Sequence, residues 1–317
     1  MNHRGRRASA LYYTMVRNAL KVLPVGGFRV AKRLMNMRLR LRPAIVRIRR
    51  GYWVVMPDAQ STWMLLFAVK EADIQHHIGS LFQRADGFID CGANVGWYSF
   101  LASRYPAIES IIAVEPIHQS VRYMEFLKKL NGLSQLQIIR GCVSDCDGTV
   151  PFARDSSRLP ESGYVIESPG FLSEEQCEVS PCYRLESILE RMNPSLNRIC
   201  IKIDVEGHEH AVLSRIDPQI LARRVGSIIV EVHLYKFPDA AGRLADVCAL
   251  VSQIGAPRLR LLAKNVRPGE RRFWERLIKH YPLCELPTEN PGRFLQLHSA
   301  MIAYVMAERG RDLQARA

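Results

Sequence analysis

Residues 88–96 read Phe88-Ile89-Asp90-Cys91-Gly92-Ala93-Asn94-Val95-Gly96. The apolar start predicts a short buried strand, and the two glycines predict a tight turn that leads into a helix. Gly92 would let the backbone approach a ligand without a Cβ clash, and Gly96 would let the helix pack close to the strand. Because open parallel sheets bind ligands at the carboxyl ends of their strands, we expect this turn to form a binding site.

The charge at this turn indicates which kind of ligand it binds. The GxxxG spacing of its glycines differs from the GxGxxG of a dinucleotide site, where helix N–H groups face a pyrophosphate. Asp90 stands just before the turn, where it would repel phosphate and attract a cationic amino acid moiety. S-adenosylmethionine carries a sulfonium and an α-ammonium group and has no phosphate. The turn therefore favours S-adenosylmethionine as the cofactor.

A second acid supports this interpretation. Glu115 ends the next predicted strand and lies 19 residues after Gly96. An acid about 20 residues past the glycine turn is where a carboxylate holds a ribose diol. Taken alone, Glu115 could equally stabilise the N-terminus of the helix that follows. Together with the turn at residues 88–96, it predicts a cofactor site.

Strands and helices alternate from about residue 87 onward, which predicts a mostly parallel sheet covered on both faces. Residues 145–180 are rich in loop signals and are expected to hold one short hairpin, and residues 264–294 form an irregular insert. The alternation at 44–49 and 52–56 predicts a further small hairpin. The predicted strands of the sheet are Phe88–Cys91, Ile111–Val114, Leu136–Arg140, Ile199–Asp204, Ser227–His233, Leu259–Leu262 and Leu295–Met306. The predicted helices include Trp63–Phe82, Ile117–Leu130, Tyr183–Met192, Glu209–Arg215 and Ala240–Ile254.

The net positive charge of the chain comes from its first 57 residues. Of the 44 Lys and Arg residues, 14 lie in residues 1–57, which contain no acid; the remaining 30 are balanced by 31 acidic residues. A body that bound nucleic acid would be expected to carry the charge itself, so no nucleic-acid partner is expected. Residues 1–42 read as one or two basic amphipathic helices. Such an arm can pack on its own domain or a partner subunit, contact an anionic membrane surface, or act as a targeting or nucleic-acid arm.

The eight cysteines show no zinc-ligand spacing, and several fall in predicted strands, where a free cysteine behaves as a small apolar residue. The sequence has no secretory signal and no run of 18 or more apolar residues. We therefore expect reduced thiols, a cytoplasmic location and no membrane-spanning segment.

A third motif, at residues 201–209, concentrates charge at the end of a predicted strand. Lys202 and Asp204 share one face of that strand, and Asp204 reaches its carboxyl end. Charged residues in a central strand are costly unless they are paired, although a Lys–Asp pair followed by helix-capping acids would also explain them. Methyl transfer to an alcohol needs a group that orients the acceptor and takes its proton. The candidates at the ends of the fourth and fifth strands are Asp204, Glu206, His208, Glu231 and His233.

Asp204 is the first choice for this role, and Glu231 and His233 could assist it from the next strand. His233 could equally be a core or supporting histidine. Asp204 and Glu231 could also hold Mg²⁺, since hard oxygen ligands suit that ion, but the sequence shows no dedicated metal site.

The chain resembles the FkbM-like family of S-adenosylmethionine-dependent methyltransferases over roughly residues 88–235. The most specific match is the Lys-Ile-Asp-Val-Glu-Gly-x-Glu run at 202–209. The resemblance implies a class I methyltransferase, Rossmann-like α/β sheet that is mostly parallel with an antiparallel last strand. It also implies cofactor-binding roles for Asn94 and Asp145 and methylation of hydroxyls on sugars, polyketides and related metabolites; the position of His208 varies in the family. The other matching features are residues 90–96, 114–116, 145–148, 185–189 and 230–233.

The resulting organisation is a basic N-terminal extension at residues 1–57 and a methyltransferase domain at 58–317, with the motif core at 88–235 and the insert at 264–294. Two alternatives remain open. A nicotinamide-dependent oxidoreductase is weakened by the missing GxGxxG motif. A non-catalytic module that docks through its basic arm would need no cofactor.

Overall fold

The motif at residues 88–96 lies in the middle of a sheet of eight strands in the computed structural model. The structure describes residues 44–48, 51–55, 72–155, 162–166, 177–253, 257–265, 283–286 and 300–309. Its strands are β1 (Ala44–Ile48), β2 (Gly51–Val55), β3 (Gly87–Cys91), β4 (Ser110–Glu115), β5 (Leu136–Arg140), β6 (Cys142–Val143), β7 (Gly148–Asp155), β8 (Ser162–Val165), β9 (Cys177–Tyr183), β10 (Ile199–Ile203), β11 (Val225–Val232), β12 (Pro257–Asn265), β13 (Leu283–Leu286) and β14 (Ala300–Arg309).

The order of strands in the main sheet is β13-β12-β14-β11-β10-β3-β4-β5. The five strands from β11 to β5 are parallel to one another. β14 runs antiparallel to both of its neighbours, β11 and β12. This is the mixed α/β sheet with an antiparallel last strand that the family resemblance implies. The parallel strands bring five carboxyl ends to one edge, where the order of the chain reverses between β3 and β10.

Helices cover both faces of the sheet. They are α1 (Ala72–Phe82), α2 (Trp97–Ala102), α3 (His118–Asn131), α4 (Leu185–Leu189), α5 (Glu209–Ser214), α6 (Pro218–Arg224) and α7 (Ala240–Val251). One apolar cluster joins α1, α2 and α3 to the sheet, and a second joins α4, α5, α6 and α7 to it.

The central strands are buried on both sides, which explains their continuous apolar runs. All five residues of β3 are buried; Phe88 belongs to one core cluster and its neighbour Ile89 to the other. Full burial of such a side chain contributes about 1.5–3 kcal/mol. The core therefore holds the end of β3, and with it the turn at residues 92–96, in one place.

Residues 145–180 contain the predicted hairpin, formed by β7 and β8, but they also hold most of a further strand, β9, so the prediction is incomplete. β7 pairs antiparallel with β8 and with β9, and β9 pairs parallel with β6, which together form a second sheet of four strands. Pro151 and Pro181 interrupt the apolar pattern within these strands. A proline lacks a backbone donor, and both prolines lie just outside the residues that pair with the short outer strands β6 and β8. Because prolines argue against an inner strand, the sequence pattern did not predict β7 and β9.

Several predicted boundaries also change. The helix predicted at 183–192 is confined to α4, because Tyr183 belongs to β9. The last strand, predicted from residue 295, is described from Ala300 onward and continues to Arg309, beyond the predicted end at Met306. α6 was not predicted, although Asp217 caps it by accepting from the Gln219 N–H and Pro218 begins it.

The other predicted elements are present where the structure describes them, with one exception: Leu283–Leu286, inside the insert predicted to be irregular, form β13 and pair with β12. β1 and β2 form the small antiparallel hairpin expected there. The predicted helix at 63–82 is described from Ala72 onward, and residues 1–42 and most of 264–294 lie outside the described part of the chain. The cysteines described with their side chains are all free. In the described part of the chain, no helix combines the length and apolar character needed to cross a bilayer.

Candidate active site

The turn after β3 depends on three residues with left-handed backbone. The φ angles of Gly92, Asn94 and Gly96 are 76°, 50° and 78°. The N–H groups of Gly92 and Ala93 both donate to the carbonyl oxygen of Val114, at 3.0 Å each. The turn is thus tied to the end of β4, and its shape requires the glycines at both positions.

The two glycines make room for protein atoms. A Cβ on Gly92 would lie 1.8 Å from the carbonyl oxygen of Asp204. A Cβ on Gly96 would meet Met124 and Phe100 at 2.8 Å. The expectation that Gly92 makes room for the ligand is therefore corrected, because its neighbour is the backbone that follows β10. Gly96 allows close packing as expected, but against side chains of α2 and α3.

Asp90 is buried beneath the turn. One carboxylate oxygen, Oδ2, accepts from the backbone N–H of Ser99 at 3.1 Å and from its hydroxyl at 2.7 Å. The other, Oδ1, is buried and has no hydrogen-bond partner among the described residues. Burial raises the pKa of Asp90 above its usual range, and the nearby Lys202 ammonium opposes this rise. Asp90 thus anchors α2 with one oxygen and keeps the other as an acceptor.

Asn94 presents a second acceptor at the same turn. Its Oδ1 atom is buried and, within the described residues, also has no hydrogen-bond partner. Burying an acceptor without a donor costs free energy, so such atoms in a native fold call for a ligand or water. Two unsatisfied oxygens at one turn fit a ligand that carries donors, such as the α-ammonium and ribose hydroxyls of S-adenosylmethionine.

Glu115 closes the far side of the turn. Its Oε2 atom accepts from the Asn94 N–H at 2.8 Å, and its Oε1 atom accepts from the Ile117 N–H at 2.9 Å. Burial raises the pKa of this carboxyl to about 7, although both N–H groups oppose the rise. A carboxylate oxygen can accept more than one hydrogen bond, so a ribose diol can still bind. Glu115 thus supports the backbone at the start of the next helix, as one interpretation of the sequence expects, and its contact with Asn94 also places it beside the turn after β3.

Asp145 lies at the exposed end of the same edge, after β6. Its Oδ1 atom accepts from the hydroxyl of Ser144 at 3.1 Å. The same hydroxyl lies 3.0 Å from Nε2 of His208, which is buried. His208 therefore connects the segment after β6 with the loop after β10. Its imidazole supports this edge of the sheet and does not face a methyl acceptor.

Lys202 and Asp204 form the ion pair that their alternation predicts. Lys202 Nζ donates to Asp204 Oδ2 at 2.8 Å and lies 5.0 Å from the centre of the Tyr98 ring. The Lys202 side chain is almost fully buried, whereas that of Asp204 is 24% exposed. Although burial opposes it, the carboxylates of Asp204 and Asp90 raise the pKa of Lys202. The charged form of Lys202 holds Asp204 at the end of β10.

His233 follows the last residue of β11, just as Asp204 follows β10. Its Nδ1 atom lies 2.9 Å from Oε1 of Glu209, a buried carboxylate that also accepts from the Gly207 N–H at 2.8 Å. Its Nε2 atom lies 3.7 Å from Asp204 Oδ1 and 3.7 Å from Glu206 Oε2. Burial alone would lower the pKa of His233, but Glu206 and Glu209 outweigh it and raise the pKa to about 10.

Glu206 is held in an unusual conformation beside this histidine. Its φ angle is 55°, and its Oε2 atom accepts from Lys236 Nζ at 2.8 Å. Lys236 Nζ also donates to the Glu206 carbonyl oxygen and lies 5.6 Å from the Tyr164 ring centre. Since Tyr164 belongs to β8, the second sheet reaches the loops that follow β10 and β11.

Three of these side chains converge. Among the described residues, the one group of at least three His, Cys, Asp or Glu whose donor atoms lie within 4.8 Å of one another is Asp204, Glu206 and His233. Glu231 is outside this group and lies buried in β11, opposite Tyr304 of β14. The possibility that Asp204 and Glu231 hold Mg²⁺ together is therefore corrected. Glu231 lies within β11, and the side chains that converge with Asp204 are those of Glu206 and His233, which lie beyond the ends of β10 and β11.

Sequence reasoning missed Glu209 and Lys236 as site residues. Glu209 was read as a helix cap, and it does begin α5, but its side chain faces His233. The signal that could have found it is its place as the third acid of the 202–209 run, three residues after Glu206. Nothing in the sequence near Lys236 indicates its contact with Glu206, which depends on how two loops meet.

The comparisons with known proteins concern methyltransferases. Residues 90–256 match the family model described as the methyltransferase FkbM domain. No curated protein shows a significant match to the chain. One similar solved structure is methyltransferase FkbM from Methylobacillus flagellatus KT, with a TM-score of 0.41 and 11% identity over 78% of this chain and 55% of that one.

Two further solved structures resemble the chain at similar levels. The O-methyltransferase TomG from Streptomyces achromogenes, in complex with SAM, has a TM-score of 0.42 and 9% identity over 80% of this chain and 90% of that one. Precorrin-6y C5,15-methyltransferase from Geobacter metallireducens GS-15 has a TM-score of 0.37 and 11% identity over 74% and 88%.

Proposed function

The chain belongs to the FkbM methyltransferase family, and we propose that it transfers the methyl group of S-adenosylmethionine to a hydroxyl group. The acceptor is a small molecule such as a polyketide, or a glycan. The observation that carries the proposal is the convergence of Asp204, Glu206 and His233 directly beside the cofactor turn.

The residues of the turn fit the cofactor. Asp90 Oδ1 and Asn94 Oδ1 are buried acceptors that lack donors among the described residues, and they suit the α-ammonium group. Glu115 lies where the ribose diol is held in related folds. Asp145, exposed at the next strand end, can reach the adenine side of the ligand. S-adenosylmethionine supplies the electrophilic methyl group when bound.

The neighbouring strand ends supply the acceptor side of the reaction. In an in-line displacement, the acceptor oxygen forms a bond to the methyl carbon, the carbon–sulfur bond breaks, and S-adenosylhomocysteine leaves. The hydroxyl proton must go to a protein group or to water. We assign it to Asp204, because its side chain is 24% exposed whereas that of His233 is 5% exposed. Glu206 is 32% exposed, but its Oε2 atom is bound by Lys236, and it is Asp204 whose backbone adjoins the turn after β3.

His233 and Glu231 then have supporting roles. The hydrogen bond between His233 and Glu209 holds the imidazole against Asp204, and so orients the carboxylate that faces the acceptor. Glu231 acts through Lys202, whose charge it helps to stabilise. Both residues are positioning residues in this scheme, as His233 and Glu231 were expected to assist Asp204.

A binding comparison separates this proposal from its alternatives. S-adenosylhomocysteine should stabilise the full chain against thermal unfolding by about 2.7 kcal/mol at a concentration 100 times its Kd, while NAD should not. Stabilisation by NAD instead would support a nicotinamide-dependent oxidoreductase. Stabilisation by neither ligand would support a non-catalytic module that docks through its arm.

The acceptor can then be identified with labelled cofactor. The protein is incubated with methyl-labelled S-adenosylmethionine and either metabolite or glycan extracts, and the labelled product is hydrolysed and analysed. Label in an ether linkage supports transfer to a hydroxyl. Label on nitrogen, carbon or sulfur would contradict that part of the proposal while leaving methyl transfer intact.

A further inference from the structure

We infer that Asp204, Glu206 and His233 form a binding site for one divalent cation, with Mn²⁺ as the ion their donor set suits best. Each side chain offers one donor atom, and these atoms lie within 4.8 Å of one another. The chemical role of such a cation rests on the proposed methyl transfer, whereas its binding rests on geometry alone.

The spacing of the donor atoms matches a coordination sphere. In an octahedron with bonds of about 2.1–2.2 Å, adjacent donor atoms are about 3 Å apart and opposite ones about 4.3 Å apart. His233 Nε2 lies 3.7 Å from both Asp204 Oδ1 and Glu206 Oε2. This separation is too long for hydrogen bonds but lies between the two octahedral values. Small side-chain rotations would therefore suffice to bring all three atoms onto one ion.

The histidine is oriented as metal-binding histidines are. Such a ligand usually donates its second ring N–H to a carboxylate, which fixes the ring, and binds the metal through the other nitrogen. Because the pKa of His233 is raised to about 10, a cation at Nε2 must displace the proton held there. His233 Nδ1 lies 2.9 Å from Glu209 Oε1, and Glu209 is itself buried and held by the Gly207 N–H. Glu209 lies outside the three-residue group, so it is a separate observation that supports a ligand at Nε2.

Two lysines compete with a cation for this site to different extents. Lys202 binds Oδ2 of Asp204, whereas the oxygen that lies near His233 Nε2 is Oδ1. Lys236 binds Oε2 of Glu206, the same atom that faces His233. A cation must therefore displace the Lys236 ammonium from Glu206 or share the carboxylate with it. Replacing Lys236 should therefore raise the affinity for the cation, whereas replacing a ligand should lower it.

The donor set also selects the ion. Carboxylate oxygens suit Mg²⁺, Ca²⁺ and Mn²⁺, and imidazole suits the later transition metals. Two carboxylates with one imidazole favour Mn²⁺ over Ca²⁺ and Mg²⁺. Bound there, a divalent ion would polarise the acceptor hydroxyl and ease the loss of its proton, which in this metal-bound state would pass to water, because Asp204 is then a ligand of the ion.

The site is tested by titrating the full chain with Mn²⁺ and following the signal of the free ion by electron paramagnetic resonance, with and without S-adenosylhomocysteine. We expect one bound Mn²⁺ per chain. Glu206→Gln and His233→Gln should each weaken binding at least about tenfold, and Glu209→Gln by about 10–100-fold as a lost supporting partner. Lys236→Met should strengthen binding about fivefold or more, because it removes a competing charge.

The control is Glu190→Gln, the same chemical change at an exposed carboxylate after α4. Equal Mn²⁺ binding by Glu190→Gln and Glu206→Gln, or no binding by the wild type at millimolar Mn²⁺, would overturn the inference. If His233→Gln does not fold, Glu206→Gln decides, since that side chain is 32% exposed. Mn²⁺ bound by these residues without methyl transfer to any hydroxyl would contradict the proposed function only. Full methyl transfer by a protein that binds no Mn²⁺ would contradict the inferred cation site and leave the proposed function intact.

Discussion

The carbonyl oxygen of Asp204 occupies the space where a β-carbon on residue 92 would lie. An ideal Cβ on Gly92 is 1.8 Å from that oxygen, and the Asp204 N–H donates to the Cys91 carbonyl at 3.0 Å. The cofactor turn after β3 and the acid after β10 are thus in direct backbone contact. The group we assign to accept the proton is held next to the cofactor by the packing of two strand ends.

This contact predicts that substitutions at Gly92 destabilise the fold as well as the site. Gly92→Ala should lower the free energy of unfolding by about 1–2 kcal/mol for the left-handed backbone and by a further 1–3 kcal/mol or so for overpacking. Gly132→Ala is the matched control, because its φ is +64° and a Cβ there meets nothing within 4 Å. Urea unfolding of both variants measures the difference. Equal stability of the two would show that the close approach to Asp204 is absent in solution.

The raised pKa of Glu115 predicts a pH-dependent cofactor affinity. The ribose hydroxyls donate to the ionised carboxylate, so binding below the pKa of about 7 must first remove a proton. The affinity for S-adenosylhomocysteine should therefore rise with pH, about tenfold per unit below 7, and level off above it. Calorimetric titrations at pH 6, 7 and 8 measure this slope.

The free energy of unfolding of the unliganded protein should change with pH in the opposite direction, because of the same carboxyl. The folded pKa of Glu115 lies above its ordinary value of 4.5, so the folded state binds more protons between about pH 4.5 and 7. This carboxyl therefore lowers the free energy of unfolding as the pH rises through that window. Glu115→Gln should remove the contribution of this carboxyl to both trends, while Glu109→Gln, at the exposed residue before the same strand, should keep it. The buried Asp90, whose pKa is also raised, keeps its own contribution to stability. Equal pH slopes in Glu115→Gln and the wild type would assign the trends to another group.

Asp204→Asn should separate chemistry from cofactor binding. The amide cannot accept the acceptor's proton, so turnover should fall roughly 10²-fold or more, the scale of a lost general base. Its oxygen can still accept from Lys202, so the affinity for S-adenosylhomocysteine should remain close to that of the wild type. Thermal stability should fall, because the buried Lys202 ammonium loses the charge of its partner. Asp246→Asn, an exposed acid on α7, is the control. Near-normal turnover of Asp204→Asn would transfer the role to Glu206 or His233.

The basic arm should be dispensable for the cofactor site. All excess positive charge lies before Asp58, and the motifs lie after residue 87. We expect deletion of residues 1–42 to preserve affinity for S-adenosylhomocysteine and to weaken co-sedimentation with anionic liposomes, at about 1 kcal/mol per basic residue near the surface. Liposomes of neutral lipid are the control. Undiminished binding to anionic liposomes would exclude the arm as a membrane contact, and loss of solubility would indicate that it packs on its own domain.

Much of the main sheet could be predicted because each of its central strands has a recognisable local sequence pattern. β3, β4, β10 and β11 are short apolar runs, since both faces of a central parallel strand are buried. The second sheet could not be predicted in the same way. β7 and β9 are partly exposed and contain prolines, so their pairing depends on partners about 30 residues away in the chain.

The acids at the strand ends follow from the sequence alone. A carboxylate that ends an apolar strand must lie at the edge of the sheet, because the strand direction and the alternation of side chains leave no other place for it. Asp90, Glu115 and Asp204 were identified on that basis, and the structure brings all three to the same edge. The antiparallel last strand came from the resemblance and not from any local pattern.

What only the tertiary structure decided is which side chains meet across that edge. His233 Nδ1 meets Glu209, Lys236 meets Glu206 and the Ser144 hydroxyl meets His208, although 24, 30 and 64 residues separate the partners. A one-residue change in strand register, or a different loop path, would separate each pair while leaving every local pattern intact. Local periodicity therefore determines which residues reach the edge of the sheet, whereas the register of the strands and the paths of the loops determine their partners.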